Sequence, residues 1–90
     1  MSTRTAVIGS SVGLHARPAA VFVQAVTEAG LPVRIGRPGT PGAPANSMLA
    51  IMALGAKHGD TVELACEAEG ADDVLERLAA LLERDLDAEA

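Results

Sequence analysis

The chain has 90 residues, 49% of them apolar, and a formal net charge of −5. That length predicts a single domain over residues 1–90 with its own core. Phe22 is the one aromatic residue, so bases have no stacking platform, and with the acidic balance this argues against a nucleic-acid partner. Cys66 stands alone, which excludes an internal disulfide and fits a reducing compartment. No secretory signal is visible, so we expect a cytoplasmic protein.

The charge is unevenly distributed. Residues 1–57 hold five basic residues and one acid, whereas residues 58–90 hold two basic residues and eleven acids. The first part could therefore receive a phosphate or an acidic protein surface. An acidic C-terminal helix that only keeps the protein soluble explains the pattern equally well. Prolines and glycines interrupt the uncharged stretch over 38–56, so no membrane insertion is expected.

The first half of the chain predicts a strand and a helix. Apolar and polar residues alternate over Thr3–Ile8, which is typical of a strand, and a loop rich in glycine and serine follows. A helix is predicted over Arg17–Ala29 and ends at Gly30. Pro18 is tolerated only in the first helical turn, which places His15 at or beside the N-cap. The buried stripe of this helix is expected to contain Ala19, Phe22, Val23 and Val26.

The middle of the chain is less regular. A second strand is predicted over Leu31–Ile35. Prolines recur every third residue over Pro38–Pro44, which we interpret as a connection containing a short strand, with a polyproline II ligand as the alternative. A short helix over Ser47–Leu54 is expected to end at Gly55 and to turn Ile51 inward, together with Leu54.

The last part predicts a strand over Thr61–Ala68 and a helix over Ala71–Leu86. Acids at its start suit the helix dipole, whereas Asp85 and Asp87 lie at the unfavourable end, so fraying is expected there. Too few helices separate the strands for a doubly wound sheet. The order favours an α+β fold in which helices cover one face of an antiparallel sheet.

The stretch GLHARPAA, residues 13–20, carries the clearest candidate chemistry. If His15 caps a helix, the backbone N–H groups of Ala16 and Arg17 are available to a phosphoryl group on its imidazole. The guanidinium of Arg17 adds donors that match phosphate oxygens. An incidental loop histidine is the simpler interpretation, and spacing alone does not decide between the two.

The rest of the chain offers no catalytic set. No general base, metal cluster or second nucleophile accompanies His15, so a group carrier without a cofactor is expected rather than an enzyme. His58 is expected to be exposed in a turn and Cys66 to be a small buried apolar residue. A metal site built from these three residues would need distant elements to converge, and none is expected.

Two motifs, GLHARPAAVFVQ and SMLAIMALGAKHGD, resemble the HPr family of histidine phosphocarriers of the bacterial phosphotransferase system. The resemblance implies an open-faced β-sandwich, a four-stranded antiparallel sheet with three helices on one face in the order βαββαβα. It implies that enzyme I, charged by phosphoenolpyruvate, phosphorylates His15 on Nδ1. Arg17 would contact the phosphate, and IIA components of sugar permeases would accept it.

The resemblance also implies a regulatory site, at Ser47, which a serine kinase and phosphatase would address. It implies a monomer whose partner-binding surface contains Ala20, Gln24, Met48, Leu49 and Met52. Three departures stand out: Gln24 and Thr27 replace basic residues of the family, Val12 replaces a polar residue near the phosphate, and the third strand falls in the proline-rich segment. A nitrogen-related or kinase-linked relay and a regulatory domain that transfers nothing are the alternative functions.

Overall fold

The computed structural model describes residues 1–84. Seven elements follow one another along the chain in the predicted order. They are β1 (Ser2–Val7), α1 (Ala16–Ala29), β2 (Arg34–Gly36), β3 (Ala43–Pro44), α2 (Met48–Leu54), β4 (Thr61–Cys66) and α3 (Ala71–Glu83).

The strands form one antiparallel sheet in the order β1-β4-β2-β3. β4 therefore lies in the interior of the sheet, and its buried side chains Val62, Leu64 and Cys66 alternate with the more exposed Thr61 and Glu63. α3 packs on β1 and β4, while α1 packs on both other helices. The predicted α+β fold, a four-stranded open-faced sandwich with three helices, is confirmed.

The core lies between the sheet and the helices. Phe22 of α1 is fully buried, and Leu75 and Leu82 of α3 are buried to the same extent. The residues predicted to face inward on α1 and α2 are buried or packed partly against the core, and so is the apolar stripe of α3. The partly buried members are Val23, Leu54, Val74 and Leu81.

The boundaries of six elements differ from the sequence prediction. α2 begins at Met48 rather than Ser47, because Ser47 is its N-cap. β2 begins at Arg34 rather than Leu31, because Pro32 has no N–H and the Val33 N–H is donated to Leu31 O in a tight turn. β4 ends at Cys66 rather than Ala68.

β1 begins and ends one residue earlier than predicted, and α1 begins at Ala16. α3 ends at Glu83 rather than at the predicted Leu86, because its C-cap residue Arg84 has an extended backbone with φ −80° and ψ 152°. The expected fraying at Asp85 and Asp87 lies outside the described residues.

The proline-rich segment forms a turn and then a very short strand. The turn is closed by hydrogen bonds from the N–H and hydroxyl of Thr40 to Arg37 O. β3 pairs with β2 over only two residues, and beyond Pro44 the N–H of Ala45 is still donated to Val33 O at 2.9 Å. The connection with a short strand is therefore the correct interpretation of this segment.

None of the helices within residues 1–84 has the length and apolar character needed to cross a bilayer.

Candidate functional site

His15 is the N-cap residue of α1, as the position of Pro18 predicted. Its backbone is extended, with φ −114° and ψ −171°, and its carbonyl accepts the N–H of Ala19 at 2.9 Å. The imidazole is exposed and makes no capping hydrogen bond. The backbone of His15 therefore starts the helix while its side chain stays available for chemistry.

The first turn of α1 supplies donors beside that imidazole. The N–H groups of Ala16 and Arg17 have no acceptor four residues earlier within the helix. Pro18 has no N–H, and Ala19 has already donated its own. The first turn contains no acidic side chain, and the exposed guanidinium of Arg17 makes no hydrogen bond or ion pair with residues 1–84. Two backbone donors and one cation are thus available to an anion at this helix start.

Backbone contacts hold the loop that carries His15. Gly13 adopts φ 75°, a conformation that favours glycine, and its N–H is donated to Ser10 O at 2.9 Å. Leu14 is 4% exposed and donates its N–H to Ala56 O at 2.9 Å. Val12 lies 55% exposed in the same loop. His15 is therefore directly preceded by a buried, hydrogen-bonded residue, while the loop tip is open to solvent.

Ser47 caps the second helix. Its hydroxyl accepts the backbone N–H of Ala50 at 3.2 Å, and its carbonyl accepts the N–H of Ile51. The predicted capping position of Ser47 is confirmed, and the residue is half-buried. A substituent on this hydroxyl would stand at the start of α2, where a negative charge is favoured by the helix dipole.

We use the term apolar patch for Ala20 on α1 and Met48, Leu49 and Met52 on α2, two helices that pack against each other. Leu49 is 81% exposed and Met52 39%, whereas Met48 is half-buried against the core. Ile51 fills the inward side of α2, so the other side of this short helix faces solvent. Exposed apolar residues that cluster in this way are typical of a protein interaction site.

The polar edge of this surface is occupied by short-range contacts along α1. The Gln24 amide donates to a carboxylate oxygen of Glu28 at 3.3 Å, and the hydroxyl of Thr27 donates to Val23 O at 2.9 Å. Both residues stand where the sequence resemblance leads one to expect cations. The outer face of α1 therefore offers Gln24 as a neutral polar contact rather than a positive one.

A cluster of contacts around Asp60 was not predicted from the sequence. The Asp60 carboxylate accepts the N–H of Lys57 at 2.9 Å and pairs with Arg37 at 3.2 Å. The Lys57 backbone hydrogen bond, followed by that from Arg37, lowers the pKa of Asp60 below its usual value. The Asp three residues after Lys57 was a local signal of this turn, whereas no local pattern links Arg37 to Asp60, 23 residues later.

His58 and Cys66 are the other two candidates from the sequence. His58 is exposed in a turn and Cys66 is a free, buried thiol, as predicted. Within the described part of the chain, no three His, Cys, Asp or Glu side chains come together as a metal site.

Comparisons with known proteins agree with this geometry. The family model described as PTS HPr component phosphorylation site matches residues 2–84. Phosphocarrier protein HPr of Streptomyces coelicolor is 47% identical over 89 residues, which cover 97% of this chain and 94% of that protein. HPr of Haloferax volcanii is 38% identical over 80 residues, covering 88% and 90%. The crystal structure of HPr from Bacillus anthracis superposes with a TM-score of 0.81 at 31% identity, covering 90% of this chain and 95% of the other.

Proposed function

This chain belongs to the HPr family of phosphocarrier proteins, and from that premise we propose that it carries a phosphoryl group on His15. Phosphorylated enzyme I would be the donor and IIA components of sugar permeases the acceptors. One observation carries the proposal: an exposed imidazole with no capping bond stands at a helix start beside donors that have no partner in residues 1–84. Phosphocarriers of this family are carriers rather than catalysts.

The transfer balances without a base. The lone pair of an imidazole nitrogen of His15, by family resemblance Nδ1, attacks phosphorus while the bond from phosphorus to the donor's histidine nitrogen breaks. The other ring nitrogen keeps its hydrogen, and the donor ring returns to its neutral form. Because bond energies on the two sides match closely, the task of this chain is to hold the group and release it, not to drive the reaction.

The phosphoryl group would be held by the first turn of α1. Its terminal oxygens accept from the backbone N–H groups of Ala16 and Arg17 and from the guanidinium of Arg17. Each charge-assisted hydrogen bond of this kind contributes about 1.5–3 kcal/mol. Because His15, Ala16 and Arg17 are all exposed, the phosphoryl group stays accessible to the next acceptor.

Partners would dock on the apolar patch and on Gln24 beside it. Leu49 and Met52 are the most exposed members of the patch on α2, and their burial supplies the apolar part of the binding free energy. Since Gln24 is neutral and donates to Glu28, we expect shape and apolar contact to contribute more than charge. Association should accordingly depend only weakly on salt.

Ser47 is proposed as the regulatory position. A phosphoryl group placed there by a serine kinase is tolerated by the fold, because a helix start favours anions. The same group stands next to Met48 and Leu49 and must lose its water when a partner covers the patch. Phosphorylation of Ser47 would therefore leave the fold intact and weaken docking.

The proposal is tested by incubating the chain with enzyme I and labelled phosphoenolpyruvate. The wild type should acquire one acid-labile, base-stable label, and His15→Ala should acquire none while keeping its melting temperature. His58→Ala is the matched control, since it removes the other exposed histidine, and it should label fully. A wild type that stays unlabelled, or a labelled His15→Ala variant, contradicts the proposal.

A further inference from the structure

The loop that carries His15 is tied at both ends to one turn, residues 56–60. At its start, the N–H of Ile8 is donated to Asp60 O and the N–H of Gly59 to Ile8 O, both at 2.9 Å. At its end, the N–H of Leu14 is donated to Ala56 O, also at 2.9 Å. The position of the turn therefore fixes the position of the loop.

Ala56 and Leu14 leave little freedom at this junction. Ala56 is 5% exposed and Leu14 4%, so both lie in the packed interior. A Cβ on Gly13 would lie 2.6 Å from Ala56 O and 2.9 Å from the Cα of Lys57, which shows how closely the two backbones approach. Any movement of this turn passes directly to the residue before His15.

The side chain of Asp60 closes the turn from within. Its carboxylate accepts the N–H of Lys57 at 2.9 Å, while its own N–H is donated to Lys57 O at the same distance. These reciprocal bonds hold Lys57 and Asp60 together as a small ring. The first residue of this ring, Lys57, directly follows Ala56, whose carbonyl accepts the Leu14 N–H.

Arg37 connects this ring to the end of α2. One guanidinium nitrogen donates to the Asp60 carboxylate at 3.2 Å, and the other donates to Leu54 O at 3.3 Å and, more weakly, to Gly55 O at 3.5 Å. The last carbonyls of a helix receive no N–H from within the helix, so a cation beside them can donate the missing hydrogen bonds. Arg37 thus fastens the residues on both sides of Ala56.

We propose that Arg37 and Asp60 are positioning residues for phosphoryl transfer: by fixing Ala56 they fix Leu14, and through it the imidazole of His15. This inference rests on the proposed function of His15. The hydrogen bonds of Arg37 and Asp60 go to other segments than the first turn of α1, so both residues act through the backbone hydrogen bond of Leu14. A transfer between two proteins tolerates little misplacement of the reacting nitrogen, since the rate falls steeply as the geometry departs from the productive one.

The matched control is Arg34, which also donates two hydrogen bonds to backbone carbonyls. Its guanidinium contacts Pro41 O at 3.0 Å and Gly42 O at 2.7 Å, in the proline-rich segment rather than at the turn. Arg34→Gln and Arg37→Gln therefore remove similar contacts, and only the second removes one that holds the loop of His15.

The first measurement is amide hydrogen exchange in the full chain. Arg37→Gln and Asp60→Ala should raise the exchange rate of the Leu14 amide by about threefold to tenfold, because its acceptor is no longer held. Arg34→Gln should leave the Leu14 rate within twofold of wild type by the same reasoning. Exchange at Phe22, in the core, reports any general loss of stability and serves as the internal reference in every variant.

The second measurement is the rate of phosphoryl acceptance from phosphorylated enzyme I. Asp60→Ala leaves Arg37 bonded to α2 and so leaves the apolar patch in place. It should lower the maximal rate about fivefold with an unchanged KM, as expected for loss of alignment rather than of docking. Asp60→Asn keeps an acceptor for the Lys57 N–H and should recover part of that loss.

Each outcome decides a separate statement. If Leu14 exchange and the maximal rate in Asp60→Ala match those of Arg34→Gln, the positioning role is wrong. If the wild type itself accepts no phosphoryl group, the proposed function is contradicted and the positioning role falls with it. An active wild type with a fully active Asp60→Ala variant overturns the positioning role alone.

Discussion

Gly13→Ala tests whether the loop before His15 is fixed by backbone contact. Gly13 has φ 75°, and an added Cβ would lie 2.6 Å from Ala56 O and 2.9 Å from Lys57 Cα, where ordinary contacts begin at 3.4 Å. Both obstacles are backbone atoms, so no side-chain rotation relieves them. The variant can fold only if this loop and the facing turn move apart.

Gly30 provides the matched control, because it also has a positive φ, 72°, but nothing lies within 4 Å of an added Cβ. Gly30→Ala therefore isolates the conformational cost, about 1 kcal/mol. Gly13→Ala adds the cost of forcing two packed backbones apart, about 1–3 kcal/mol by analogy with overpacked cores. The total for Gly13→Ala is about 2–4 kcal/mol, two to four times the cost of the control.

The two variants are compared by thermal melting and by phosphoryl acceptance. In a chain of this size 1 kcal/mol shifts Tm by about 4–8 °C, so Gly30→Ala should lose about that much and Gly13→Ala at least twice as much. Acceptance should fall in Gly13→Ala at temperatures where it remains folded and stay normal in Gly30→Ala. Equal losses of Tm in the two variants would refute the close approach at Gly13, and normal acceptance in folded Gly13→Ala would refute its link to His15.

Three further predictions concern single side chains. Arg17→Ala should slow transfer about 30- to 150-fold, which corresponds to the loss of a charge-assisted contact of about 2–3 kcal/mol. The control Arg4→Ala, on the exposed part of β1, should transfer at the wild-type rate. Unchanged kinetics in Arg17→Ala would show that Arg17 is only a solvated surface residue. Ser47→Asp should keep or slightly raise Tm and should raise the KM for enzyme I. Ser47→Ala should lose about 1 kcal/mol of helix capping and transfer at a near-normal rate. If Ser47→Asp accepts phosphoryl groups as readily as wild type, the docking surface lies elsewhere. The pKa of Asp60 is lowered in the folded state, so its stabilisation is complete above the unfolded pKa of about 4 and is lost as pH falls through the folded value. The Tm difference between wild type and Asp60→Asn should therefore shrink in melts taken from pH 5 down to about 3, and a constant difference would contradict the ion pair.

Local signals predicted the helical part of the site correctly. Pro18 restricted the start of α1, and that restriction placed His15 at the N-cap, where the structure has it. Ser47 and Gly55 marked both ends of α2 by capping preference, and both act as caps. These features depend on residues within one or two turns of each other, which is why the sequence alone specifies them.

Strand boundaries depended on partners that the sequence does not reveal. Apolar alternation begins at Leu31, yet pairing with β4 begins at Arg34, because hydrogen bonding starts only where the neighbouring strand is reached. Val33 keeps its buried position although it lies outside the ladder. Alternation therefore predicted which side chains are buried better than it predicted where the strand begins.

Contacts between distant segments were beyond sequence patterns. Arg37 and Asp60 are 23 residues apart in the chain. Leu14 and Ala56 meet because β1 and β4 are antiparallel neighbours, so the loop after β1 and the loop before β4 lie at the same end of the sheet. Neither pair has a spacing that a periodic pattern detects. The residues that we propose to position His15 were therefore identified from the structure, whereas His15 and Arg17 were proposed from the sequence.

We propose above all that a phosphoryl group on His15 is held by the backbone N–H groups of Ala16 and Arg17 at the start of α1. Phosphorus and amide NMR of the chain, recorded before and after charging by enzyme I and phosphoenolpyruvate, tests this most directly. We predict one phosphohistidine resonance, assigned to His15, together with downfield shifts of the Ala16 and Arg17 amide protons, while that of Thr27 near the other end of the helix stays in place. If the Ala16 and Arg17 amide protons keep their chemical shifts when the phosphohistidine signal appears, these N–H groups do not hold the phosphoryl group. If the signal belongs to His58, the assignment of His15 is wrong.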